Sequence, residues 1–238
     1  MIGGCLSGCV DEFLLPEDKE PAAPGPREHE NCQPARQPVK MIAGGSNAAV
    51  SGMKQVACLR FAPTDVVGAM LIDPILRKDD RGHFARAWCI REFAEHGIDF
   101  VPVEANIGFN VQKGTLRGLH FQTVPALEAK LIHCTRGSIF DVVLDLRPES
   151  PSYRKWYGTV LSAANYRMLY IPERCAHGYQ TLEDCTDVYY LTSQFYSPGT
   201  ERGVRYDDPM FSIQWPLPAA AMSDNDRKWP LMSAASRP

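Results

Sequence analysis

Short apolar segments separated by turn residues run through most of this chain, and they constrain its fold more than any other feature. Turn signals such as those at 79–82 and 147–151 lie between them. Only residues 90–96, which precede Gly97, have a helical pattern. Many short strands with almost no helix predict an all-β sandwich or barrel. The apolar segments are 69–72, 83–88, 130–134, 138–145, 155–161, 166–171 and 188–192.

The first part of the chain differs in composition from the rest. Residues 16–26 and 33–38 are rich in proline and charge, and residues 44–52 have the composition of a linker. Such segments bury too little apolar area to offset the loss of chain entropy on folding. We therefore expect a disordered extension over 1–54 and one folded domain over 55–238.

Bulk properties exclude several classes of protein. The formal net charge of −3 does not indicate binding to nucleic acid or to a membrane surface, and no apolar run is long enough to span a bilayer. The start of the chain does not resemble a secretory signal. The later cysteines, from Cys58 onward, are widely spaced and form no CxxC pair, which favours reduced thiols. We expect a cytoplasmic protein.

The segment from 114 to 130 holds the most suggestive side chains. Arg117, His120 and Lys130 lie in sequence that otherwise indicates β-structure. Simple alternation places Arg117 and His120 on opposite faces of a strand, but a bend at Gly118 would bring them together. A cation, a base and an amine in one place suggest chemistry on an anionic substrate. The alternatives are a hydrogen-bonded core histidine and a lysine on an edge strand.

A metal site is a weaker interpretation of the same residues. His120, Glu128 and His177 could supply ligands, but Lys130 lies among them. A His-x-His pair is also missing, because Gln122 follows two places after His120. We therefore predict no metal. Nucleotide-binding motifs of the GxGxxG and GxxxxGK[ST] types are absent from the sequence.

Later residues complete a candidate set for proton transfer. Tyr189 and Tyr190 point to opposite faces of one strand, so one of them should face the interior with His177. Asp226 lies in a run that, by itself, resembles a solvated charged surface. A histidine base, a lysine, a tyrosine acid and an arginine suit proton abstraction next to a carbonyl.

Several motifs in a fixed order resemble one known family. Beyond the segments above, they include Asp208-Pro, Trp215-Pro and Ser223-x-x-Asp226. From about residue 53 to 232 the chain resembles the nucleotide-sugar 3,5-epimerases, typified by the enzymes that act on dTDP-4-dehydrorhamnose. The resemblance implies a cupin or jelly-roll β-sandwich with one or two short helices. It also implies a nucleotide-sugar substrate, a homodimer and no metal or cofactor.

The resemblance further implies a role for individual residues. His120 would be the general base oriented by Asp226, Tyr190 the general acid on the opposite face, and Lys130 the group that stabilises the enolate oxygen. Arg117 would contact the diphosphate, and Arg81 would reach the substrate either within its own subunit or across a dimer. The remaining substrate-binding positions implied are Arg86, Glu104, Asn106, His177, Tyr196 and Glu201.

Some positions depart from the family pattern. Arg86 replaces a glutamate of the dTDP-4-dehydrorhamnose enzymes, Glu104 replaces a glutamine, and Asn225 replaces a lysine. These changes affect nucleotide and sugar contacts and leave the base, acid and lysine intact. Inversion at C3, at C5 or at both carbons of a 4-keto nucleotide sugar therefore stays open. The alternatives are a ketoisomerase on the same scaffold, a metal cupin and a non-catalytic sugar-binding cupin, the last of which predicts a broken His120–Asp226 pair.

Overall fold

A computed structural model of the protein describes residues 58–232. The predicted extension over 1–54 lies outside the described residues. The strands are β1 (Leu59–Pro63), β2 (Met70–Pro74), β3 (Arg77–Asp79), β4 (Gly82–Phe84), β5 (Glu104–Asn110), β6 (Leu116–Gln122), β7 (Lys130–Arg136), β8 (Ser138–Asp145), β9 (Trp156–Ser162), β10 (Met168–Ile171), β11 (Cys175–Thr181), β12 (Thr186–Thr192) and β13 (Glu201–Gly203). The helices are α1 (Ile90–Glu95) and α2 (Asp224–Lys228).

The strands form two large sheets and a small hairpin. One sheet has the order β1-β2-β10-β7-β12-β5, and the other has the order β13-β6-β11-β8-β9. All pairings between these strands are antiparallel. Strands β3 and β4 form the separate two-stranded hairpin. The all-β sandwich predicted from the sequence is therefore confirmed.

The main core lies between the two large sheets. Ile132 of β7 and Leu169 of β10 are packed in one cluster with Ile139 and Val143 of β8, and all four are fully buried. Because β8 is covered on both faces, nearly all of its residues are buried and most of them are apolar. A second cluster packs Phe93 of α1 against residues of the six-stranded sheet.

One sequence expectation about local structure is wrong: the predicted strand over 83–88 ends at Phe84, where its pairing with Arg77 of β3 ends. The charged run around Asp226 forms a short helix that is exposed except at Asp226. Ser223 caps α2 by accepting a hydrogen bond from the Asp226 amide at 3.0 Å, and the Asp226 side chain is buried.

The remaining expectations concern membranes and thiols. No helix among residues 58–232 is long and apolar enough to cross a membrane. Within the described residues, no disulfide joins Cys58, Cys89, Cys134, Cys175 or Cys185. Cys5, Cys9 and Cys32 lie outside the described residues.

Candidate active site

A bend in β6 brings the first candidate residues together. Gly118 has a φ of +117°, which L side chains rarely adopt, and a Cβ there would lie 2.5 Å from the Cα of Gly178. The pairing register between β6 and β11 also shifts beside this point. As a result, Arg117 and His120 line the same cavity although simple alternation would separate them.

This cavity has a volume of about 620 Å³ and adjoins a second one of about 250 Å³. His120, Lys130, Tyr190 and Glu201 line both cavities. The other candidate residues of the larger cavity are Arg117, His177 and Asp226, and those of the smaller one are Glu104, Asn106 and Tyr196. Ten of the twelve sequence candidates therefore lie around one continuous space.

His120 and Asp226 form the closest ionisable pair of the site. His120 Nε2 lies 2.5 Å from Asp226 Oδ1, and the two side chains are 32% and 4% exposed. Burial opposes the charged form of Asp226, but hydrogen bonds from His120, Ser223 and the Gly118 amide, with the charge of His120, outweigh it and lower the pKa of the carboxyl. Asp226 is therefore a carboxylate that can only accept from Nε2, so that a neutral imidazole in this contact carries its lone pair on Nδ1.

A second histidine–aspartate pair lies beside the first. His177 is directly opposite His120 in the register of β6 and β11, and its Nε2 lies 2.7 Å from Asp141 Oδ1. Complete burial raises the pKa of Asp141, opposed by the charges of His177 and Lys130. Within residues 58–232, Asp141 Oδ2 has no hydrogen-bond partner.

Tyr190 reaches the cavity from the opposite sheet. It lies on β12 of the six-stranded sheet, whereas His120 lies on β6 of the five-stranded sheet. Burial, followed by the negative charge of Glu128, raises the pKa of the Tyr190 phenol. A phenol with a raised pKa stays protonated at neutral pH and is available as a proton donor.

Lys130 begins β7 and lines the same two cavities as Tyr190. Its Nζ is 2.9 Å from Glu128 Oε1, and both side chains are nearly buried. The carboxylate satisfies the ammonium, which would otherwise be costly to bury. Three glutamates, namely Glu104, Glu128 and Glu201, line the smaller cavity together with Lys130.

Two predicted residues do not reach this space in the single chain. Arg81 lies on the exposed turn between β3 and β4 and pairs with Asp79 at 2.7 Å. Arg86 lies after the same hairpin and pairs with Glu92 of α1 at 3.5 Å. It lines a separate cavity that includes His83 and His133.

Sequence reasoning missed Asp141, which contacts His177, and also Asn110 and Tyr179, which lie next to Arg117. It weighed Glu128 only as a metal ligand, whereas the structure pairs Glu128 with Lys130. The sequence does not single out Asp141, because its neighbours in β8 are mostly apolar. Only the pairing of β8 with β11 places it beside His177. Among residues 58–232, no group of three His, Cys, Asp or Glu side chains is arranged to hold a metal ion.

Comparison with known proteins identifies the family. The profile of the family described as dTDP-4-dehydrorhamnose 3,5-epimerase matches residues 63–234. A dTDP-4-dehydrorhamnose 3,5-epimerase from Methanothermobacter thermautotrophicus is 39% identical over 177 residues, which are 73% of this chain and 95% of the relative. A dTDP-4-dehydrorhamnose 3-epimerase from Streptomyces niveus is 38% identical over 178 residues, covering 74% and 86%.

Solved structures agree with this assignment. The Bacillus anthracis dTDP-4-dehydrorhamnose 3,5-epimerase, with TDP and PPi bound, has a TM-score of 0.71 at 37% identity and covers 73% of this chain and 99% of its own. A Legionella pneumophila epimerase in complex with dTDP-4-keto-L-rhamnose has a TM-score of 0.67 at 34% identity and covers 71% and 89%. The chain belongs to the dTDP-4-dehydrorhamnose 3,5-epimerase family and is an epimerase of the isomerase class.

Proposed function

We propose that this protein inverts one or both carbons next to the 4-keto group of a dTDP-linked 4-keto-6-deoxy sugar. The observation that carries the proposal is the placement of His120 and Tyr190 on facing sheets around one cavity. Related structures that hold TDP or dTDP-4-keto-L-rhamnose support the nucleotide and sugar classes. Such a reaction belongs to the biosynthesis of deoxysugars of the dTDP-L-rhamnose type.

The proposed reaction begins at His120. Its Nδ1 takes the proton from C3 or C5 of the sugar, and the electron pair of the broken C–H bond moves onto the C4 oxygen as an enolate. Asp226 accepts from Nε2 and stabilises the imidazolium that forms. The ammonium of Lys130 stabilises the developing enolate oxygen.

The reaction ends at Tyr190, on the other face of the ring. The enolate collapses to the ketone while the phenol donates its proton to the same carbon, which inverts the centre. Solvent then reprotonates the tyrosinate, and His120 loses its proton to solvent, so that no atom is gained or lost overall. Arg117, which lines the larger cavity, binds the diphosphate.

Two features of the site argue against the alternative functions, and the first is the intact His120–Asp226 contact. A non-catalytic sugar-binding cupin predicts a broken pair, and the two side chains are instead 2.5 Å apart. A ketoisomerase does not need an acid on the opposite face, and the position of Tyr190 therefore favours inversion. Relatives that act at C3 alone are known by name, so the number of carbons inverted is a matter for experiment.

The proposal is tested with a panel of 4-keto nucleotide sugars in D₂O, followed by NMR. With dTDP-4-keto-6-deoxyglucose as the substrate, we expect deuterium at C3 and C5 of the epimerised product. Deuterium at one carbon only would support the proposed proton transfer and define a mono-epimerase. The absence of exchange with every member of the panel would contradict the proposed function.

We also infer a cytoplasmic homodimer. Arg81 does not reach the cavity of its own chain, and Phe84 on the same hairpin is 67% exposed, which is consistent with contact to a second copy. Light scattering coupled to gel filtration would give the mass in solution. A monomer at micromolar concentration would contradict the dimer.

A further inference from the structure

The guanidinium of Arg117 is only partly used by the protein itself. Its Nε donates to Asn110 Oδ1 at 2.8 Å, and its Nη2 donates to the Phe109 carbonyl at 3.3 Å. An arginine has five N–H groups in a planar fork. The other N–H groups of Arg117 have no acceptor among the residues that the structure describes, and the side chain lines the larger cavity.

Asn110 is held in one orientation behind Arg117. It is 2% exposed, and its Nδ2 donates to the carbonyls of Gly108 and Thr186, both at 3.2 Å. The amide nitrogen therefore faces β5 and β12, and the amide oxygen faces the arginine. Tyr179, whose hydroxyl lies 3.3 Å from Nδ2, closes the remaining side.

The neutral acceptor distinguishes Arg117 from many of the other arginines among residues 58–232. Seven others are paired with an aspartate or glutamate: Arg81, Arg86, Arg136, Arg147, Arg167, Arg174 and Arg205. Arg117 has no carboxylate within ion-pair distance in the described part of the chain. An amide oxygen fixes the direction of the guanidinium without cancelling its charge, whereas a carboxylate would do both.

We propose that Asn110 is a positioning residue that holds Arg117 ready for the diphosphate of the substrate and keeps its charge available. This inference rests on the proposed nucleotide-sugar substrate and adds to it a residue that does not itself line the cavity. It explains why a buried polar side chain, bonded on both of its amide atoms, lies at the end of β5 directly behind the arginine.

The test compares Asn110→Asp, which keeps the shape and supplies a carboxylate, with Asn110→Ala, which removes the acceptor. Calorimetric titration with dTDP should give a dissociation constant at least about tenfold higher for Asn110→Asp, because a charge-assisted contact to the diphosphate is weakened. With the sugar substrate, KM should rise more than kcat falls. A merely structural role would instead lower the active fraction and hence kcat, with KM unchanged.

A double-mutant cycle with Arg117→Gln keeps the inference testable even if Asn110→Asp fails to fold. Asn110→Ala should weaken dTDP binding in the wild-type background and have no further effect beside Arg117→Gln. Asn165→Asp, in the exposed turn between β9 and β10, makes the same charge change away from the cavity and should leave dTDP affinity unchanged.

The outcomes separate this inference from the proposed function. If wild-type protein does not bind dTDP, the proposed nucleotide substrate is wrong. If wild-type protein binds dTDP and the Asn110 variants bind it equally well, or if Asn110→Ala is equally damaging beside Arg117→Gln, the positioning role is wrong while the proposed function stands.

Discussion

Two polar clusters on the five-stranded sheet show opposite uses of buried charge. At the end of β8, Asp145 accepts from the backbone and side chain of Arg147 and from the hydroxyls of Ser150 and Ser152, with distances from 2.5 to 3.0 Å. In the middle of the same strand, Asp141 has one oxygen bonded to His177 and the other without a partner in residues 58–232.

The pKa directions follow this difference. Hydrogen bonds from Arg147 and the serines outweigh the burial of Asp145 and lower its pKa to about 2. Burial dominates at Asp141 and raises its pKa. The first cluster, which we call the Asp145 knot (Asp145, Arg147, Ser150 and Ser152), is satisfied by the protein alone. The second cluster, Asp141 with His177, is not: Asp141 Oδ2 is buried without a partner among residues 58–232, and His177 lines the candidate cavity.

The largest effect should come from removing the base. His120→Ala should lower kcat by about a thousandfold, because no other group can take the proton from carbon at that position. Turnover is measured by NMR on the 4-keto nucleotide sugar. His96→Ala, an exposed histidine on the helix end of α1, should leave turnover unchanged. Comparable loss in both variants would mean that His120 has no special role.

Tyr190→Phe should separate proton abstraction from inversion. The variant keeps the ring and loses the donor, so kcat for epimer formation should fall by about a hundredfold. His120 should still exchange the substrate proton with solvent from its own face. We therefore expect deuterium in recovered substrate with little epimer. Epimer formation at the wild-type rate would exclude Tyr190 as the acid.

A substitution in the Asp145 knot should lower the stability of the fold rather than the rate of catalysis. Asp145→Asn leaves Arg147 without its charge partner and should lower the free energy of unfolding by about 3 kcal/mol. Urea unfolding measures this change. Asp187→Asn breaks the more exposed pair with Arg136 and should cost less than about 1 kcal/mol. Equal losses of unfolding free energy in the two variants would contradict the difference between the buried Asp145 knot and the more exposed pair.

The lowered pKa of Asp145 predicts how the free energy of unfolding depends on pH. Its pKa is about 2 in the folded protein and about 3.9 in an unfolded chain, so the unfolded state binds more protons between these values. The contribution of Asp145 is present above pH 4 and is lost as the pH falls toward 2. The unfolding free energy of wild type should therefore fall more steeply over this range than that of Asp145→Asn. Parallel curves would show that Asp145 has no such shift.

Sequence predicted the regular parts of the fold well. The strand over 138–145 matches β8, and the helix over 90–96 matches α1 except at its last residue, since the apolar pattern there follows burial directly. Strand β5 was missed for a physical reason. Its even-numbered residues Glu104, Asn106 and Gly108 face inward, whereas Ile107 and Phe109 are exposed, so its hydrophobic pattern is inverted.

The candidate site, like the fold, was predicted only in part. The resemblance indicated His120, Lys130, Tyr190 and Asp226, and all four line one cavity. The contact of Asp141 with His177 and that of Asn110 with Arg117 could not be identified, because the first depends on the pairing of β8 with β11 and the second on β5 and β6 lying in different sheets. Glu128 lies two residues from Lys130, but nothing in the sequence shows that the two side chains pair. Helix α2 was missed because five charged or polar residues carry no apolar period, and only the contact with His120 explains the burial of Asp226.

The central claim is that base and acid act from opposite faces of the sugar. It is tested most directly by running the wild-type reaction in D₂O to low conversion and measuring deuterium separately in substrate and product by NMR. The account predicts deuterium at the inverted carbon of the product, delivered from Tyr190, while recovered substrate stays largely unlabelled. Equal labelling of substrate and product, or a product that retains the original proton, would contradict it.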